Sequence, residues 1–149
     1  VIPLEKFFIA YGKQDLRPGE FVERIIVPRA GDGQMHAAYK ISKRRDEDIS
    51  SVAVGLRLTV ADGIITDARI AFGGMAATPK RAAAAEAVLV GAPWSKAAML
   101  GAADALDADF SPLTDWRASA EYRSKVAKNL FRRFWMERSG AATPARLSA

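Results

Sequence analysis

The chain has 149 residues, 50% of them hydrophobic, with a formal net charge of +5, which is enough apolar material for one core without covalent staples. It has no cysteine and a single histidine, His36, so disulfides, thiolate ligands, cysteine nucleophiles and any site built from several imidazoles are excluded. Lys and Arg are interspersed with acids rather than gathered with stacking aromatics, so no nucleic-acid partner is expected. No apolar run approaches the roughly 20 residues of a membrane-spanning helix, so no membrane partner is expected either.

The opening Val1-Ile2-Pro3 has no charged and apolar leader pattern and reads as part of something longer. Residues 3–11 are aromatic-rich and predict a helical turn or two, followed by a turn at Arg17-Pro18-Gly19-Glu20. Residues 21–27 read as a strand that stops at Pro28. A glycine-rich connection over 30–34 then leads to a second extended stretch from about His36, and the two suggest a hairpin.

The clearest periodicity sets Val52, Val54, Leu56, Leu58 and Val60 against Ala53, Gly55, Arg57 and Thr59. A two-residue repeat places the large apolar groups on one face of a half-buried strand. Ala61-Asp62-Gly63 supplies a turn, and residues 64–72 return as its antiparallel partner, ending at Gly73-Gly74.

Beyond that point the pattern becomes helical. Thr78 and Pro79 suit the start of an alanine-rich helix to about Val90, closed by Gly91. Ser95 begins a second helix to about Leu106. A third starts near Asp115 or Trp116 and carries Ala127, Leu130, Phe131 and Phe134 at the spacing of a buried face. The residues from Gly140 onward are small and polar and predict a flexible tail, leaving 1–139 as the domain. Strands followed by helices imply an α+β fold: an antiparallel sheet of three or four strands with about three helices packed on one face.

Three features invite a chemical reading. Lys40, Lys43, Arg44 and Arg45 precede Asp46, Glu47 and Asp48 between two strands, a loop that can bind an anion or simply pair its own charges in solvent. Three consecutive acids lack the spacing of a cation-binding loop, so no metal site is assigned. Gly73-Gly74-Met75-Ala76 leads from a strand towards a helix without phosphate-loop spacing, and reads as a tight turn beneath the helices. Trp116, Phe131, Phe134 and Trp135 read as packing against the sheet.

Taken in order, Phe7-Phe8-Ile9-Ala10-Tyr11-Gly12-Lys13, Leu16-Arg17-Pro18-Gly19-Glu20, the stretch from Tyr39 to Ile49, Ala71-Phe72-Gly73-Gly74-Met75-Ala76, Asp115-Trp116-Arg117-Ala118-Ser119 and Tyr122-Arg123 resemble the small subunit of xanthine dehydrogenases. The part resembled is the C-terminal portion of the flavin-carrying region, shared with the carbon monoxide dehydrogenase flavoprotein. The resemblance implies a cytoplasmic oxidoreductase in which FAD is held jointly with an upstream flavin-binding half and electrons pass to NAD. Iron–sulfur domains with 2Fe-2S clusters and a large subunit with the molybdenum cofactor would be its partners. By motif position it implies FAD contacts from Lys40 and Val22, and a flavin-adjacent loop containing Arg44, Arg45, Asp46 and Asp48. No catalytic residue is assigned. The alternatives are the equivalent domain of another molybdenum hydroxylase, or a non-catalytic interaction module with this fold.

Overall fold

The computed structural model describes residues 1–44 and 46–140. One helical turn, α1 (Leu4–Phe7), runs directly into a small two-stranded sheet of β1 (Phe8–Ala10) and β2 (Lys13–Gln14). The helix expected over 3–11 is therefore a single turn: Gly12, at φ 67°, folds the aromatic stretch back on itself as a hairpin instead.

The main sheet is antiparallel, in the order β3 (Gln34–Ile41), β4 (Val52–Ala61), β5 (Ile64–Gly73), β6 (Lys80–Arg81). The alternation seen in the sequence is realised in β4, where Val52, Val54, Leu56 and Leu58 are buried at 3% exposure or less. Asp62 and Gly63, at φ 51° and 75°, form the two-residue turn between β4 and β5, the primed geometry that matches strand twist.

Three helices cover the apolar face: α2 (Ala83–Leu89), α3 (Lys96–Asp109) and α4 (Ala120–Arg138). The Ser95 side chain caps α3 by accepting from Ala98 N, and Ser119 caps α4 by accepting from Tyr122 N. The core forms where the helices meet the sheet. Phe131 of α4 stacks on Phe72 of β5 with centroids 6.3 Å apart, and Phe110 meets Phe72 edge-on at 5.3 Å. The α+β arrangement expected from the sequence is the one observed.

Three boundaries differ. Residues 21–27 form no strand and no hairpin with β3: no backbone hydrogen bond joins them to another strand among the described residues, and Phe21, Ile25 and Val27 are 80%, 74% and 78% exposed. β3 pairs along one edge with β4, from Gln34↔Thr59 to Ile41↔Val52, and the apolar run does not take its other edge.

The alanine-rich helix starts later than Pro79, because Lys80 and Arg81 add a short strand to the open edge of β5, opposite Phe72 and Ala71. The last helix begins at Ala120 rather than near Asp115, whose carboxylate instead accepts backbone hydrogen bonds from Arg117 and Ala118 in a turn. The tail proposed from Gly140 onward lies, apart from that glycine, outside the described residues.

The packing separates two kinds of aromatic residue. Phe131→Ala should lower the unfolding free energy by about 3–5 kcal/mol, the usual cost of emptying a fully buried aromatic site. Phe21→Ala should change it by under ~0.5 kcal/mol, as for exposed positions. Urea denaturation of the two variants checks the contrast, and equal losses would contradict this assignment of the core.

Candidate functional site: the outer face of the sheet

The face of the sheet turned away from the helices is paved with small residues. Reading across the strands by register, Ala38 lies beside Gly55, then Ala71, then Arg81, and the next row is Lys40, Ala53, Gly73. These rows line an open concavity of about 370 Å³, closed at one side by Pro79. Along its other side runs the row His36, Arg57, Arg69.

The smallness of this floor is not demanded by the chain's own packing. A Cβ built on Gly55 meets nothing within 4 Å, and one on Gly73 meets only the Ala53 Cβ at an ordinary 3.7 Å. Glycine inside a strand loses conformational entropy and side-chain packing, and its use marks close approach by something else. A flat aromatic ligand or another backbone fits such a surface.

The cations around the floor differ in how they are partnered. Arg57 pairs with Asp67, Arg81 binds the Glu86 carboxylate through Nε at 2.7 Å, and Arg69 lies 3.8 Å from Glu5. Lys40 is exposed and has no ion pair or hydrogen bond among the described residues. Its charge is the one left available to an anionic or carbonyl-bearing ligand at this rim.

The loop after β3 folds on its own charges. Arg44 N donates to Asp48 Oδ2 at 3.0 Å, Arg44 Nη2 donates to the Glu47 carbonyl at 2.9 Å, and Ser42 Oγ donates to the Arg44 carbonyl. The bond from the Arg44 backbone, aided by the guanidinium, holds the Asp48 carboxyl below its ordinary range. Asp46 is exposed, and Arg45 lies outside the described residues. Lys40 and this loop are thus neighbours at one end of the concavity. Val22 is not brought to them: it sits in the unpaired segment, 51% exposed.

Sequence reasoning missed the buried charges. Glu86, 8% exposed, accepts from Ile70 N at 2.7 Å as well as from Arg81. Asp109 accepts from Ala84 N and Ala85 N at 2.9 and 3.1 Å, so that the end of α3 caps α2, which has no cap of its own. Arg123, 4% exposed, donates to the carbonyls of Ser51 and Gly74 and to Asp115. The only signal in the sequence was an Arg on the same helical face as Ala127, Leu130 and Phe134.

Two readings of the motifs can be scored against this geometry. Gly73-Gly74 is a tight turn under the helices: at Gly74, φ is 79° and an added Cβ would lie 2.5 Å from the Ser51 carbonyl oxygen. Trp116 is not packing against the sheet. It is 70% exposed and carries the Arg117 guanidinium over its ring at 4.1 Å, because the helix it was expected to start begins only at Ala120.

Residues 37–138 match the family described as the CO dehydrogenase flavoprotein C-terminal domain. The chain is 34% identical over 141 residues to a nicotinate hydroxylase of Emericella nidulans, covering 90% of this chain and 10% of that protein. It is 31% identical over 140 residues to the xanthine dehydrogenase of Oryza sativa subsp. japonica, covering 91% and 10%. The fold matches a chain of reconstituted CO dehydrogenase from Oligotropha carboxidovorans with a TM-score of 0.81 and 29% identity, over 93% of this chain and 48% of that one. The chain therefore spans about a tenth of the length of these two relatives.

Asp115 gives this region a pH signature. Desolvation pushes its carboxyl up, but backbone hydrogen bonds from Ala118 and Arg117 and the Arg123 guanidinium outweigh that and hold it at about 2, against an ordinary 3.8. A carboxyl lowered on folding stabilises the fold above its unfolded pKa and loses that contribution as pH falls through the folded one. Asp115→Asn should therefore lower the melting temperature at neutral pH and flatten its decline between pH 3.8 and 2. A melting series across that range with the wild-type slope would contradict this.

Proposed function

Because the chain belongs to the CO dehydrogenase flavoprotein C-terminal domain family, we propose that its bare sheet face is one wall of an FAD site in a xanthine dehydrogenase. The upstream flavin-binding half would supply the other wall. The single observation that carries this reading is the floor of Ala38, Ala53, Gly55, Ala71 and Gly73 with Lys40 at its rim.

The residues fit the cofactor on physical grounds. A planar ring needs a surface without projecting side chains, and Gly55 leaves open space where any other residue would project. An electron-accepting ring gains from a nearby positive charge, and Lys40 is an exposed ammonium with no partner among the described residues. When bound, FAD supplies the redox chemistry, taking electrons that originate at a molybdenum centre and pass through iron–sulfur clusters, and giving hydride to NAD.

The chain's own residues hold and orient. Lys40 donates to a ring oxygen or to developing negative charge, and the small residues set how closely the backbone approaches. The loop carrying Arg44, Arg45, Asp46 and Asp48 lies beside the flavin and sets the local potential and the access of the nicotinamide. Val22 reaches the flavin through the segment over residues 21–27, whose exposed apolar side chains are covered when the flavin-binding half is present. The working compartment is the cytoplasm.

A second reading keeps the same wall and changes the substrate. The likeness to a nicotinate hydroxylase favours it, since xanthine would meet the molybdenum-bearing subunit and not this chain. Steady-state oxidation of xanthine and of nicotinate by the assembled enzyme separates the two.

The wall itself is tested by two substitutions in the assembled flavoprotein. Gly55→Val should fold, because an added Cβ meets nothing within 4 Å on this exposed face, yet lose bound FAD; Lys40→Ala should retain FAD about tenfold more weakly, the worth of one charge-assisted hydrogen bond. Both should leave reduction of the molybdenum centre by xanthine unchanged. Flavin absorbance after gel filtration reads the result, and full FAD content in Gly55→Val would remove this face from the cofactor site.

A further inference from the structure

At the end of the sheet where Lys40 sits, β4 and β5 separate and their ladder stops at Ala53↔Gly73. The two chains that diverge there are the loop between β3 and β4, ending at Ser51, and the turn at Gly74. Arg123 joins them from α4: Nη1 donates to the Ser51 carbonyl at 2.5 Å and to the Gly74 carbonyl at 2.7 Å, and Nη2 donates to Asp115 Oδ1 at 2.6 Å.

The same knot gathers the rest of the loop. Lys43 Nζ donates to the Trp116 carbonyl at 2.7 Å, and Ser51 Oγ donates to the Arg117 carbonyl at 3.3 Å. Lys43 and Ser51 of the loop, the Gly74 turn and the turn at 115–118 are therefore tied together around a guanidinium that is 4% exposed.

Apolar packing alone would hold α4 on the sheet without fixing how far apart these two strand ends stand. A planar fork with directional, charge-assisted bonds to both carbonyls does fix it. Ser51 precedes Val52 and Ala53, and Gly74 follows Gly73, so the distance Arg123 sets is transmitted to the Lys40, Ala53, Gly73 row of the floor.

We propose that Arg123 is a positioning residue for the flavin wall, setting the spacing between the loop that follows Lys40 and the Gly74 turn. The inference rests on the flavin reading above. Arg123 touches neither cofactor nor substrate; it acts through the two backbone carbonyls it holds.

The test compares Arg123→Lys with Phe134→Leu in the assembled flavoprotein. Phe134 packs edge-on against Trp94 at 6.1 Å, and Trp94 N donates to the Gly63 carbonyl at the β4–β5 turn, so truncating Phe134 weakens helix docking at the other end of the sheet from Lys40. Arg123→Lys keeps the charge but puts a single nitrogen where the guanidinium divides its bonds between Nη1 and Nη2. It should weaken FAD affinity about tenfold, the effect of a small misplacement of a binding group, and shift the flavin midpoint potential. Phe134→Leu should lower the melting temperature and move neither flavin property.

Wild-type FAD affinity and potential in Arg123→Lys would overturn the inference, as would equal flavin shifts in Phe134→Leu. If Arg123→Lys does not fold, Asp115→Asn, which keeps the guanidinium but loosens its aim, should shift the potential from the wild-type value, and no shift there overturns the inference. Wild-type protein without FAD overturns the flavin reading and this inference with it, whereas FAD-loaded wild type with an unaltered Arg123→Lys overturns this inference alone.

Discussion

The two-sidedness of β4 is the constraint on which the rest of the structure depends. It is paired along both edges, so its register decides which residues of β3 and β5 share each face. With Tyr39 opposite Val54 and Lys40 opposite Ala53, the phenol goes under the helices and the ammonium to the open side. A slip of one residue would exchange the two faces. It would bury Lys40 and project Tyr39 from the floor, abolishing core and candidate site together.

The helix layer is fastened to this sheet by more than apolar contact. α4 is held near one end by Arg123 and near the other by Glu137, which accepts from Tyr39 Oη at 2.5 Å while Arg133 stacks over the Tyr39 ring at 4.6 Å. Burial, with the Glu137 bond adding to it, pushes the Tyr39 phenol well above its ordinary range, so it stays a hydrogen-bond donor. α2 is fastened by Glu86 and by the cap from Asp109. Buried charges are tolerated when hydrogen-bonded partners replace water, and the carboxylates of Glu86 and Asp109 each accept more than one bond.

These clamps face inward and leave the other face of the sheet free. The division suits a domain that contributes a wall: its helices make the small-residue face rigid, and its cations stand around that face. The exposed apolar residues at 21–27 point the same way, since an extended run of Phe, Val and Ile in water is stabilised only by a surface that covers it. Both features fit the proposed role of one wall in a shared site.

Local signals in the sequence were enough for much of the fold. The β4–β5 hairpin was legible because a two-residue alternation and an Asp-Gly turn are encoded within about twenty residues. The starts of α3 and the buried face of α4 were legible because a serine cap and a 3.6-residue period are equally local. The resemblance carried by ordered motifs pointed to the family.

What the tertiary structure alone decided are the matters that turn on which distant residues arrive. Residues 21–27 have the composition of a strand, but composition names no partner: β3 pairs with β4 along one edge, and residues 21–27 do not take the other. Lys80 and Arg81 left the helix for the sheet because β5 offered an open edge. Arg123, Glu86 and Asp109 look like ordinary surface charges in the sequence. Their burial became favourable only when carbonyls and amides from far along the chain were in place to receive them.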